Sequence, residues 1–403
     1  MRTPFTTRVL LAAAVLAFAS ASVARAQAAP ADTVRRPVQE GIFDRPFIGS
    51  VGRTAIGGYV EGNTAYVSED GVSEGLSLQL RRFNIFLFST IGTRIRFISE
   101  LEFEDGTEEI ALETALIDVQ LTPSFVVRAG IILPPIGAFN VNHDSPRWNF
   151  VDRPLVSTEI IPATLSEAGF GVHGRLAPPG LGLTYDLYAT NGLGDGVILN
   201  ASGRTRLAEG RSEERFAEDN NGSPAFSGRL AAQRQGLGEV GLSFYTGIYN
   251  SYRMEGEVVD DARRLTIGAL DGSLVLGPVE LRGELAIADI QLPADLRESQ
   301  GARQFGWHLD ANMPVWRPRL RGFPEAHLDA DLRLEYVDLN RGRFTTTGAP
   351  IGDDIAAVVL GASFHPAAGT VFKLNYRRQR SHDLLRNAAS RLGAVHVGFA
   401  TYF

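Results

Sequence analysis

The stretch Arg391 to Phe403 (RLGAVHVGFATYF) sets Val395, Val397, Phe399, Thr401 and Phe403 in alternation with Ala394, His396, Gly398, Ala400 and Tyr402. A period of two makes a β-strand with two chemically different faces. An apolar strand left at the edge of a soluble sheet invites pairing with other chains. A closed barrel removes that edge by pairing its last strand with its first. A terminal strand in a soluble sheet is the competing reading of this stretch, and the remaining sequence has to choose between them.

The alternation recurs along the chain. Ile95, Phe97, Leu101 and Phe103 share one face, and Arg94, Arg96, Glu100, Glu102 and Glu104 the other. Phe372, Leu374 and Tyr376 oppose Lys373, Asn375 and Arg377 in the same way. One apolar face and one strongly charged face fit a strand with lipid on one side and water on the other. The pattern predicts strands at 56–66, 78–89, 92–104, 113–122, 125–132, 168–177, 181–191, 225–235, 238–249, 264–276, 279–290, 303–313, 325–338, 353–364, 370–380 and 391–403. Each is of the length that crosses a bilayer as a tilted strand. The fold class expected is therefore all-β: a transmembrane antiparallel β-barrel of about 16 strands.

The connections supply an independent test. Ser89–Ile91, Thr122–Ser124, Pro178–Gly180, Gly236–Leu237, Gly277–Pro278 and His365–Gly369 are short and fall at every second position. Val67–Ser77, Leu133–Glu167, Gly192–Pro224, Asn250–Arg263, Gln291–Ala302, Leu339–Gly352 and Ser381–Ser390 fall between them and are longer. Tight periplasmic turns alternating with longer extracellular loops are the habit of outer-membrane barrels, and soluble β-proteins have no reason to sort loops by parity. Pro314–Pro324 breaks the rule, being long where a short turn is expected. Tyr66, Phe83, Phe88, Phe103, Phe125, Phe170, Tyr249, Trp307, Phe364 and Phe403 lie near strand ends, as residues of an interfacial aromatic girdle would.

The N-terminus reads as a secretory signal: Arg2 and Arg8, an apolar run Val9–Ala19, then Ala24-Arg25-Ala26 as a cleavage site. The expected division is a signal peptide at 1–26, a flexible periplasmic leader at 27–50 and the barrel at 51–403. No later stretch is apolar for long enough to be a spanning helix. The absence of Cys excludes disulfides and thiol chemistry, and a net charge of −7 argues against nucleic acid as a partner. H-E-x-x-H does not occur, and His308, His327, His382 and His396 stand singly. No enzymatic activity, cofactor or metal is expected.

A barrel of about 16 strands leaves a water-filled lumen, so the inward faces would line a pore. Alternation points Arg82, Arg94, Arg96, Arg128, Arg175, Arg229, Arg282, Arg333, Lys373 and Arg377 inward, among acids such as Glu100, Asp118, Glu284, Asp310 and Glu335. Ion pairs along a solvated wall are the plainer account of most of them. Leu133–Glu167, the third extracellular loop, is too long and too apolar to lie free in water. Folded inward it would form the constriction, with His143, Asp144, Arg147, Asp152, Arg153 and Glu159 around it. A lid over the mouth or a subunit contact is the alternative.

Three stretches carry a family resemblance: Leu80–Gly106, Arg128–Asn140 (RAGIILPPIGAFN) and Phe150–Leu176. They are similar to the early hairpin, the approach to the third loop and the loop's second half in the phosphate-selective porins, the O and P porins. The resemblance implies a homotrimeric, sixteen-stranded outer-membrane porin with an inward third loop. It would pass small hydrophilic solutes or anions, phosphate among them, by diffusion. That family's phosphate preference is associated with lysines, whereas this chain has Lys373 alone and more acids than bases in the third loop. A plugged barrel serving as adhesin or anchor is the alternative function.

Overall fold

The computed structural model describes residues 37–403 except 48, 52, 212–215, 217, 218 and 220, and gives only the backbone of Gly49–Val51. The signal expected at 1–26 lies outside the described residues. Sixteen long antiparallel strands form the wall. They are β1 (Thr54–Glu69), β2 (Leu76–Ile91), β3 (Ile95–Glu104), β4 (Glu109–Thr122), β5 (Phe125–Ile132), β6 (Glu167–Leu176), β7 (Gly182–Thr190) and β8 (Ala225–Arg234). The second half is β9 (Gly238–Ile248), β10 (Arg264–Leu276), β11 (Val279–Ile290), β12 (Arg303–Trp316), β13 (His327–Asp338), β14 (Asp354–Ala367), β15 (Thr370–Ser381) and β16 (Ser390–Tyr402).

Each strand pairs with its sequence neighbours, and β16 closes on β1 from Leu392↔Glu69 to Tyr402↔Tyr59. The closed antiparallel barrel expected from the alternation is the observed fold. The largest departure from the predicted spans is at β4, which begins at Glu109 rather than at 113. No helix among the described residues is long and apolar enough to cross a membrane.

The two faces invert the pattern of a soluble protein. On β16, Val395, Val397 and Phe399 are 42%, 46% and 40% exposed, while Ala394 and Ala400 are 2% and 0%. On β15, Phe372, Leu374 and Tyr376 face out and Lys373, Asn375 and Arg377 are buried inside. A surface of this kind suits hydrocarbon, and a charged inner face suits water or polar loops. Short turns do gather at one end: Gly277 adopts φ +61 between β10 and β11, a backbone angle that favours glycine. The Arg317–Ala326 connection remains the long one at that end, tightened by a bridge from Leu320 to Phe323.

Two expectations need correction. Phe83 packs with Phe103 and Phe403 on the outer face, but Phe88 packs on Phe43 and Phe47, and Tyr249 is buried within the apolar interior. The leader expected at 27–50 is not free over the part described: Ile42 and Arg45 are buried, and the turn Val38–Phe43 lies against loop and wall. Its backbone groups find partners there, as a buried segment must.

At the long-loop end the interior is apolar. Ile136, Ile160 and Ile161 of the third loop meet Leu193, Val197 and Leu207 of the 191–224 connection and the inner faces of β9 to β13. Burying each such side chain contributes roughly 1.5–3 kcal/mol. That is ample reason for the loop to fold inward rather than lie over the mouth.

Candidate pore and constriction loop

The third loop leaves β5 at Leu133 and returns at β6. Its neck is tied by Asn140, which donates to the carbonyls of Pro134 and Leu165 and accepts from the Leu165 amide, all at 2.8–3.0 Å. Beyond the neck the loop crosses the lumen to the opposite wall. Glu284 of β11 accepts from the amides of Ala138 and Phe139 at 2.9 and 3.3 Å and from Ser157 Oγ at 2.6 Å, gripping both arms. Gly137, at φ +66, presses so close to Glu284 that a Cβ would collide with the carboxylate. The helical turn Leu155–Glu159 is held where the Leu155 amide donates to Glu335 at 3.0 Å.

The middle of the loop is stitched to β13–β15. Asn149 Nδ2 donates to Asp331 at 2.6 Å and Asp329 at 3.2 Å, and the Val151 amide donates to Asn375 at 2.7 Å. Lys373 Nζ donates to the carbonyls of Ser145 and Phe150 at 2.9 and 3.0 Å, and Arg333 donates to the Asp152 carbonyl at 2.8 Å. Such bonds satisfy backbone groups that a loop inside a barrel would otherwise bury unpaired.

Asp144 joins the loop to the 37–47 strap. It accepts two hydrogen bonds from Arg45, at 2.7 and 3.0 Å, and one from Tyr402 at 2.7 Å. Arg45 Nη2 also lies 2.8 Å from Glu100. Burial raises the Asp144 carboxyl, but Arg45 and Arg147 outweigh it and hold the group well below the usual carboxylate range. Arg147 completes the joint, donating to Tyr402 Oη and to the carbonyls of Gly41 and Asp44 at 2.7–3.0 Å. His143 stands 2.7 Å from Glu113, with Nδ1 3.0 Å from the Asn140 carbonyl. Burial first, and Arg153 second, push its pKa down.

The loop residues expected to ring an eyelet are thus mostly fasteners. His143 and Asp144 are 1% and 2% exposed. Asp152 pairs with Arg81, Arg153 donates to Thr164, and Glu159 pairs with Arg206. Arg147 alone of the six borders the cavity left between the loop and strands β9 to β13.

The wall cations fare similarly. Arg128 pairs with Asp118, Arg229 with Asp271 and Glu239, Arg333 with Asp310, and Arg377 with Glu335. Arg82 reaches Glu61, Glu102 and Glu104, while Arg96 pairs with Asp118 and lies over Phe43. Arg94 is a correction: it sits exposed in the β2–β3 turn rather than on the inner wall. Arg175 is half-exposed near the short-turn rim, 3.9 Å from Glu40. Arg282 pairs with Glu280 and keeps 40% of its side chain accessible.

Several participants escaped the sequence reading. Arg45 lay in the supposed leader. Tyr402 and Glu113 carried no motif. Arg81 alternates outward on paper, but a bulge opposite Glu61 and Gly62 lets both Arg81 and Arg82 approach Glu61.

A cavity of about 440 Å³ remains between loop and wall. The strap and loop supply Val38, Asp44, Phe139, Asn142, Arg147 and Trp148. Strands β9 to β13 supply Glu239, Asp271, Arg282, Glu284, Asp310 and Arg333.

No family model matches the chain. An uncharacterized protein of Aquifex aeolicus is 30% identical over 357 residues, which cover 82% of this chain and 76% of that protein. The chain belongs to the family of that protein. Among solved structures, the channel DcaP of Acinetobacter baumannii aligns with a TM-score of 0.55 at 11% identity, over 89% of this chain and 99% of DcaP. An anion-selective porin from Comamonas acidovorans gives 0.53 at 13%, over 87% and 99%. Salmonella typhi OmpF gives 0.54 at 12%, over 87% and 98%. At these identities the likeness establishes the fold: this member of the Aquifex protein's family has a porin barrel.

Proposed function

We propose that the protein is a bacterial outer-membrane porin, exported by cleavage after Ala26, through which small hydrophilic solutes diffuse passively. The observation that carries the reading is the inward third loop, fastened by Glu284, Lys373 and Arg333, which narrows the lumen and leaves beside it a cavity with charged side chains in its lining. The lipid-facing apolar belt and the porin fold support the location. The homotrimer rests on the family resemblance, and cross-linking of the purified protein tests it.

The finer reading, selection of anions and of phosphate in particular, has narrower support. Arg282 faces the cavity, but Asp44, Glu239, Asp271, Glu284 and Asp310 outnumber the bases around it. We therefore assign size-limited passage with weak ion selectivity. Planar-bilayer recording tests both parts. Discrete conductance steps with a reversal potential near zero in a salt gradient are expected. Absence of steps, together with no swelling of solute-loaded liposomes, would return the reading to a plugged anchor.

A further inference from the structure

The sequence showed His327 standing singly, yet the register of β13 and β14 brings a second histidine to it. His327 and His365 are directly opposed on the first rung of that pair. Their rings stack 4.6 Å apart and within 8° of parallel. Asp329, two residues along β13 and so on the same face, completes a triad at the short-turn rim. The atoms of the three able to bind a metal all lie within 4.8 Å of one another.

Three details favour a ligand over an internal ion pair. First, the His nitrogens stand 3.9 and 3.8 Å from the Asp329 oxygens, too far for hydrogen bonds. Around a tetrahedral zinc, neighbouring ligand atoms lie about 3.4 Å apart, so small side-chain movements would close the set. Second, Asp329 Oδ1 and His365 Nε2 are buried without a hydrogen-bond partner, although Asp329 is only 9% exposed. Buried polar atoms left in this state call for an occupant. Third, His327 Nδ1 lies 3.1 Å from the Glu325 carbonyl, where donating a proton leaves Nε2 as the free lone pair. Asn149 likewise fixes the carboxylate by donating to Asp329 Oδ2 at 3.2 Å. Supporting bonds of this kind orient metal ligands.

A second cluster, Glu100, His143 and Asp144, has similar spacing but is already filled by the Arg45 guanidinium.

We propose that His327, His365 and Asp329 bind one divalent transition-metal ion at the short-turn rim of the lumen, leaving a fourth coordination position open. Two imidazoles and one carboxylate suit zinc, nickel or copper rather than magnesium or calcium. The proposal does not depend on the channel reading.

The test uses the untagged full chain, refolded in detergent and stripped of metal. Titration with zinc should give one ion per chain, with magnesium giving no saturable binding. His327→Ala and His365→Ala should each weaken zinc binding at least about tenfold, the least that even supporting residues contribute. His382→Ala should leave it unchanged. Gel mobility before and after boiling checks that each variant is folded. Should a variant fail to fold, cobalt added to the unmutated chain supplies the second readout, a visible spectrum of tetrahedral nitrogen and oxygen ligation. No saturable zinc binding, binding that survives both alanine substitutions, or no such cobalt spectrum would overturn the proposal.

Discussion

Lys373 Nζ lies 2.9 Å from the Ser145 carbonyl, and through this bond the chain's one lysine pegs the third loop to β15. The ammonium also donates to Ser145 Oγ and to the Phe150 carbonyl, and sits over the Trp148 ring. A porin lysine invites an anion-binding role, but this one has its three donors occupied by the loop. Lys373→Met should therefore leave ion selectivity unchanged and loosen the loop. Hydrogen bonds from a charged donor contribute about 1.5–3 kcal/mol each; three that share one ammonium are not additive, so a loss of at least about 3 kcal/mol is expected. Urea titration in detergent measures it. Single-channel recording should show larger or noisier steps with an unaltered reversal potential.

Gly137 tests the grip of Glu284 from the other side. Alanine there would meet the carboxylate and would sit at φ +66, where a side chain is strained. Gly137→Ala should displace Glu284 and release the amides of Ala138 and Phe139 together. We expect a destabilisation of about 2–3 kcal/mol and easier proteolysis within 133–167. Gly180→Ala, also at positive φ but in open space, is the control, since it carries the backbone strain without the collision.

The strands and their order were legible because a period of two, repeated between turn residues, leaves little choice of register once one face must meet lipid. β5, β10 and β11 fall at the predicted residues. The inward loop was legible from its apolar residues, now in the interior cluster with Ile136 and Ile160. Pairing was not legible. Alternation points Arg229 inward, but only the register of β8, β9 and β10 brings it within 2.5 Å of Asp271. The strap was hidden for a related reason. Its Pro-rich, charged composition reads as a free leader, and every partner of Arg45 is distant in sequence.

Arg45 and Asp144 should behave as a coupled pair. Removing one member of a buried ion pair leaves the other charged and unpaired, at about 3–5 kcal/mol, whereas removing both is milder. Arg45→Met is expected to destabilise more than the double variant Arg45→Met/Asp144→Asn. Glu100 shares the same guanidinium, so some penalty persists in the double variant. A double-mutant cycle by urea unfolding, followed by tryptophan fluorescence, gives the coupling. Additive effects would mean that the strap is not held by this contact.

Acid should release the same joint, and the order of events follows from two groups. His143 is buried with its pKa lowered, so between its folded and unfolded values the unfolded chain binds the extra proton. Stability from this group is full above the ordinary histidine value, about 6.5, and declines as pH falls below it. Asp144 is held well below the usual carboxylate range, so its contribution is complete above about pH 4 and is lost only in stronger acid. Two steps are expected in urea stability as pH is lowered, the first below 6.5 and the second below 4. His143→Gln, which cannot take up a proton there, should reduce the first step and leave the second. A first step of unchanged size in His143→Gln would assign the weakening to another group.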